Sequence, residues 1–426
     1  MKSFLLFFFT LFFFSSYLYG EKVDVVYAGF ALSADFSDLN TVVKYTNKII
    51  EKAKNNGTQN IIDKSLIEIT KKLDLNYINL SYGLITEETS KIAMSVFLDQ
   101  EILEEFALPI QDCKKIKLKD CYIYRINNQY QIIFFDFKQM TFIKAVPFEG
   151  IYISSPTSKL DEKGKMKLFE DSYKNGNWLL PPVVDQEKKS KITDRIFSKV
   201  LPVTEVKTFY ENYLGVNPSE DGFKINIDKI SKLTPPEIIE NIHLLKRQVA
   251  NYFLAEIALK HNVPIVPYYE GVGVGGTLKA KYANRNEVFN LKIPEPTYYV
   301  DFLIRGFIKK KFKNDANVEN LTWWIYGAGI NLKFYEPLLN KEFLNIAMTK
   351  ADYKKIPNIM KLNSVNEFVN IYQLTLKPLS EEFSNIIGSD FKNKNDIEWL
   401  KKITKNKSNP ENIKKLHKLF LRLSAD

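Results

Sequence analysis

The chain carries only two cysteines and three histidines in 426 residues. Two thiolates need two further ligands to hold zinc, and three scattered histidines do not supply them, so a zinc module is excluded. The nucleophile elbow G-x-S-x-G and the zinc pair H-E-x-x-H are both missing. Ser389-Asp-Phe-Lys392 fits S-x-x-K, but no K-T-G accompanies it. After residue 20 no apolar run approaches the ~20 residues that a membrane-crossing helix needs. No internal sequence repeat is evident. The composition implies no cofactor.

What is present begins at the N-terminus. Lys2 precedes an apolar run from Phe4 to Phe14 that is broken only by Thr10. Ser15, Ser16 and Gly20 follow, and then the charged Glu21 and Lys22. That is the order of a signal peptide, with cleavage expected after Gly20. Export places the mature chain in the periplasm or outside the cell, where Cys113 and Cys121 are expected to bridge. Nucleic acid is then a poor partner, despite a formal net charge of +10.

Hydrophobic content of 45% is ordinary for a folded chain. The predicted fold class is α+β, in two domains that each pack helices on an antiparallel sheet. The expected divisions are a signal at 1–20, an α+β domain at 21–155, a partly helical junction at 156–230, a second α+β domain at 231–390 and a basic helical tail at 391–426. In the first domain Val23–Leu32 reads as a strand. Helical stripes follow through Leu39, Val42, Ile49 and Ile50, ending at Asn55-Asn56-Gly57, and through Ile62, Leu66 and Ile69. Strands are predicted at Tyr77–Ile85 and Ile92–Leu98. A meander is predicted at Tyr122–Ile126, Tyr130–Phe137, Thr141–Val146 and Ile151–Ile153. Its turns fall at Asn127-Asn128, Lys138-Gln139 and Pro147 to Gly150. Residues 154–176 read as a long loop or junction, and a helix is expected near 193–213.

The second domain opens on Thr234-Pro235-Pro236-Glu237, a capping box with prolines in the first turn. Its helix carries Leu245, Val249, Phe253 and Ile257 on one stripe and stops at Asn262 and Pro264. Strands are expected at Val263–Tyr269, Thr277–Tyr282, Tyr298–Phe307, Leu321–Phe334 and near Phe343–Ala347. Ser364-Val-Asn-Glu367 starts another helix, which Pro378 kinks or splits.

Three features are candidate sites. Gly271-Val-Gly273-Val-Gly275-Gly276 lies between two strand-like segments, so it reads as a hairpin loop or a backbone-lined ligand contact rather than a phosphate loop opening a helix. Trp323 and Trp324 sit side by side on a strand, where alternation sends them to opposite faces, and an exposed one would mark an interface or a sugar contact. The last helix has Ile413, Leu416, Leu419 and Phe420 on one face, with Lys414, Lys415, Lys418 and Arg422 off it. Such a helix rests on an anionic membrane surface or docks on its own domain. His243, His261 and His417 are read as packing or surface residues.

These features predict an exported envelope or extracellular protein with a non-catalytic binding or assembly role toward a protein, ligand or anionic surface. The alternatives are an exported hydrolase acting on envelope polymers through an unassigned carboxylate pair, and a peripheral membrane protein using the basic C-terminal helix. Protein recovered from the exported compartment is expected to begin at Glu21 and to weigh two hydrogens less than the reduced chain. A full-length reduced mass would overturn both expectations.

Overall fold

The computed structural model describes residues 23–33, 39–71, 78–82, 92–174, 223–226, 239, 242–261, most of 263–312, 321–357, 364–388, 394–403 and 410–425. The chain is α+β, with a large mixed sheet and a smaller, mainly antiparallel one, each packed by helices.

The first sheet grows from β1 (Val23–Leu32), an almost continuous apolar run. Val25, Phe30 and Leu32 are buried against helices, while Ala28 and Ala31 point to the other side. The register shifts between Tyr27 and Gly29, and Gly29 takes φ +120. A side chain there would be strained and would crowd Asn284, so glycine is required. β1 runs parallel to β2 (Ile78–Tyr82) and to β3 (Ile92–Ala107). Parallel neighbours need a crossover. It includes α1 (Leu39–Val42), α2 (Lys44–Asn55) and α3 (Ile61–Thr70). Asn60 caps α3 by accepting from the Ile62 and Asp63 amides at 3.1 and 2.9 Å.

β3, β4 (Tyr122–Asp136) and β5 (Thr141–Ile153) form the meander, with fewer and longer strands than expected. Asn127-Asn128 is not a turn, for both residues are paired to β3 and β5 in mid-strand. Asn127 donates to Glu149 of β5 at 2.6 Å, and Asn128 donates to Tyr130 at 2.7 Å and to the distant Tyr173 at 3.3 Å. Tertiary partners thus override local turn chemistry. Pro147 likewise lies within β5. Beyond Thr141 that strand has no described partner on its far edge, and an edge tolerates a missing N–H. Lys138-Gln139 is a turn, as expected.

Residues 154–176 are not simply a loop. They hold α5 (Glu162–Tyr173), capped by Asp161, whose carboxylate accepts from the Gly164 amide at 2.7 Å. Few of its residues are apolar, but Phe169 stacks on Tyr45 of α2 at 4.7 Å.

The sheet is completed from far along the chain. β7 (Thr277–Tyr282) and β8 (Val288–Lys292) form a hairpin. It pairs with β5 through Thr141–Lys292 and with β1 through Ala31–Tyr282 and Leu32–Lys281. The result is a ring of six strands, β1-β3-β4-β5-β8-β7. Small residues (Ala28, Ala31, Ala93, Ala145, Ala280) alternate inside it with the rings of Phe97, Phe135, Tyr282 and Phe289, as a narrow barrel requires. Residues expected in the second domain therefore complete the first domain's sheet.

The second sheet is β6 (Phe223–Asn226), β9 (Tyr298–Phe312), β10 (Leu321–Glu336) and β11 (Lys341–Pro357) in the order β11-β10-β9-β6. Its order repeats that of β5-β4-β3-β1: a parallel pair, then a three-strand meander. Val263–Tyr269, expected as a strand, is not one in its described residues, although Val263, Ile265 and Val266 are buried. One face of the sheet is covered by α6 (Ile242–His261), α7 (Ser364–Ile371), α8 (Lys377–Gly388), α9 (Lys394–Ile403) and α10 (Pro410–Ala425). Leu245, Val249, Phe253 and Ile257 of α6 form its buried stripe. Pro378 does not split its helix, because a π-turn at Tyr372–Leu376 precedes it. The widened ladder accommodates the ring and the missing donor. The predicted helix near 193–213 lies outside the described residues.

Cys113 and Cys121 are joined in a disulfide with a Cα–Cα distance of 5.4 Å. It closes the β3–β4 connection around the short helix α4 (Ile110–Lys115). Replacing both cysteines by serine is expected to lower the unfolding free energy by about 2–3 kcal/mol. Denaturant titration of the oxidised and variant proteins checks this.

Candidate binding face

Among the described residues, helices cover only one face of the second sheet. Leu332, Ile330, Ala328 and Tyr326 of β10 point into that core. By alternation Trp323, Ile325, Gly327 and Gly329 point the other way. Strand register builds the outward face row by row. Phe312, Trp323 and Lys355 lie side by side, followed by Lys310, Ile325 and Tyr353, and then by Ile308, Gly327 and Ala351.

The tryptophan pair is divided as alternation requires. Trp324 packs against the core, with the Lys309 ammonium 4.8 Å from its ring centroid and bound to Glu367 at 2.8 Å. Trp323 lies on the open face. It stacks on Tyr353 at 5.1 Å, is tilted against Phe312 at 6.4 Å and carries the Lys355 ammonium 4.2 Å from its centroid. Ile308, Phe312 and Tyr353 keep 54%, 46% and 56% of their surface exposed.

Gly327 and Gly329 form the floor of this face. A Cβ at 327 would lie 3.5 Å from Ala351 and 3.6 Å from Ile308, which is ordinary contact, so packing does not demand glycine here. Glycine inside a strand costs stability and marks a place where another group approaches closely. The cations Arg305, Lys310 and Lys355 border the face, and none has an ion pair among the described residues. The arrangement offers an apolar, shallow, positively charged platform. Cation–π contact and ring stacking hold it rigid.

The other expected sites are separate. Gly271, Gly273, Gly275 and Gly276 lie outside the described residues. On α10, Ile413, Leu416, Leu419 and Phe420 are buried in the domain core. Lys414 pairs with Glu411 at 2.9 Å, and Arg422 donates to the Tyr298 hydroxyl. Lys415 and Lys418 remain exposed. The apolar stripe needed to lie on a membrane is thus already used. His261 is held against Ser384 and His417 against the Ile387 carbonyl, while the His243 side chain lies outside the described residues.

Carboxylates with shifted titration are structural. Glu101 accepts from the Thr46 amide and hydroxyl at 3.0 and 2.7 Å at the start of α2, and burial pushes its pKa up to about 7. Asp99, raised by burial to about 6, accepts from Ser33 and Gln131 of the first sheet and, at 3.1 Å, from Asn251 of α6. Arg247 of α6 donates to the Asp99 carbonyl at 3.2 Å. This polar joint between the halves has no signature in the sequence, because its members lie about 150 residues apart. Among the described residues no cluster of three metal-binding side chains occurs.

The chain matches no protein-family model and no curated protein. Among solved structures it is similar to a Helicobacter pylori protein named as a homolog of a neuraminyllactose-binding hemagglutinin. The identity is 11% and the TM-score 0.24, over 46% of this chain and 91% of that one. A likeness at that score carries no argument about this chain.

Asp99 gives a pH test. A carboxyl with a raised folded-state pKa holds its proton more tightly when folded, so its contribution to stability is greatest at low pH. That contribution declines as pH rises from the ordinary 3.8 through about 6. Denaturant stability is expected to fall across this window, and Asp99→Asn to flatten the fall.

Proposed function

We propose that this is an exported, non-catalytic binding or assembly protein that engages its partner through the outward face of the second sheet. The carrying observation is the exposed cluster of Ile308, Phe312 and Tyr353 around Trp323, bordered by cations that form no ion pair among the described residues. A contiguous exposed apolar patch with a charged rim is the ordinary mark of an interaction site. The lysines favour a partner with acidic groups beside an apolar surface.

Export is supported by the signal-like first twenty residues and by the disulfide, which belongs to an oxidising compartment. No helix among the described residues is long and apolar enough to cross a membrane. The hydrolase alternative gains no support from Asp99 or Glu101, whose oxygens are occupied inside the fold. The C-terminal helix alternative would require α10 to leave its core.

A photo-crosslinking residue at Tyr353, expressed in the exporting cell, is expected to give a discrete adduct that the same residue at exposed Lys48 on α2 does not. Tyr353→Glu should weaken capture of that adduct's partner about tenfold or more, since it puts a charge where a ring was buried. Equal adducts at both positions, or none at 353, would sink the proposal.

A further inference from the structure

The turn joining β10 to β11 is Pro337-Leu338-Leu339-Asn340. Turns of this kind ordinarily carry glycine, asparagine, aspartate or serine at their tips. Here Leu338 is 87% exposed and Leu339 70% exposed. The turn is well formed, since the Asn340 amide donates to the Pro337 carbonyl at 3.2 Å and Asn340 takes φ +47. Glu336 and Lys341 close the ladder immediately behind it. β10 and β11 have 16 and 17 residues, so the leucines cap a stiff hairpin roughly 50 Å long.

Behind the leucines comes a collar of rings. Half-buried Tyr299 stacks on half-buried Tyr335 at 5.7 Å, and behind them Tyr298 and Phe343 meet edge to face at 5.7 Å inside the core. Lys333 lies 4.9 Å from the Tyr335 centroid and Lys341 4.8 Å from that of Phe343. Arg422 of α10 reaches the same end through the Tyr298 hydroxyl. Asp301 accepts from the Tyr335 hydroxyl at 3.2 Å, and Glu342 is 3.6 Å from Lys333. Among the described side chains at this end, Lys333, Lys341 and Arg422 balance Asp301, Glu336 and Glu342.

We infer that this hairpin tip inserts into the interfacial layer of a lipid bilayer, with Leu338 and Leu339 as the anchor. The exposed leucines lead, and the Glu336–Lys341 pair and the Tyr299–Tyr335 stack come next, at the depth where charges and rings meet the headgroups. The tip is convex, so it enters an apolar phase rather than enclosing a ligand. Its charge balance makes apolar burial, not attraction to anionic lipid, the driving force. The site is distinct from the platform around Trp323, which lies at the other end of β10, and from the lysines of α10.

The test uses the full mature chain and phosphatidylcholine vesicles with no anionic lipid. The protein is expected to float with these vesicles equally at low and high salt. Leu338→Ser with Leu339→Ser should weaken partitioning roughly 100-fold while leaving the unfolding midpoint unchanged, because both side chains are exposed. Leu338→Trp should give blue-shifted emission that brominated lipid quenches. Three results would overturn the inference. These are no flotation with phosphatidylcholine, flotation only with anionic vesicles in a salt-sensitive way, or a tip that crosslinks to a protein while its tryptophan stays unquenched by lipid. None of them bears on the Tyr353 experiment.

Discussion

The structure depends on a pairing between segments some 250 residues apart, where Ala31 and Leu32 at the end of β1 meet Tyr282 and Lys281 of β7. Without that hairpin, the end of β1 beyond its pairing with β2 and the far edge of β5 would be open, and the sheet's aromatic filling would lose Tyr282 and Phe289. With it, the sheet becomes a ring that buries its small and aromatic residues on one side and meets helices on the other. The same connection commits the second half to its place, because β7 and β8 sit between α6 and the second sheet in the sequence. Asp99 then ties α6 to the rim of the ring.

Two units with one strand order thus meet opposite fates. The first meander is enclosed on both faces. The second has its helices on one face only, and its other face keeps aromatic and aliphatic side chains at the surface. The ring spends the hairpin that follows α6, so nothing equivalent among the described residues covers the second sheet. The proposed binding face rests on that asymmetry: a sheet face left uncovered by the described elements is available to an external partner.

Much of the fold was legible in the sequence. β7 and the starts of the long strands β9 and β10 follow from runs of β-branched and aromatic residues, and α6 and α10 from apolar stripes at helical spacing. Misreadings cluster where a distant partner settles a local ambiguity. Asn127-Asn128 has the chemistry of a turn, yet Asn127 donates across strands to Glu149 and Asn128 to Tyr173 of α5. α5 has too few apolar residues to show a stripe, and its helix is fixed by Asp161 as a cap and by Phe169 against Tyr45. Of the candidate site, alternation separated Trp323 from Trp324 onto opposite faces. Tyr353, Phe312 and Lys355 could not be joined to Trp323 without the register of three strands.

By itself, the sequence determined the alternation of apolar side chains, the helix caps, the pair of cysteines close enough to bridge, and the signal-like start. All of these act over a few residues, through backbone propensity and short loop closure. Tertiary structure decided which face of each element was left over. Sequence periodicity shows that a face is apolar, but only packing shows whether another element covers it. The stripe of α10 was already buried, while no described element covers the outward face of β9, β10 and β11.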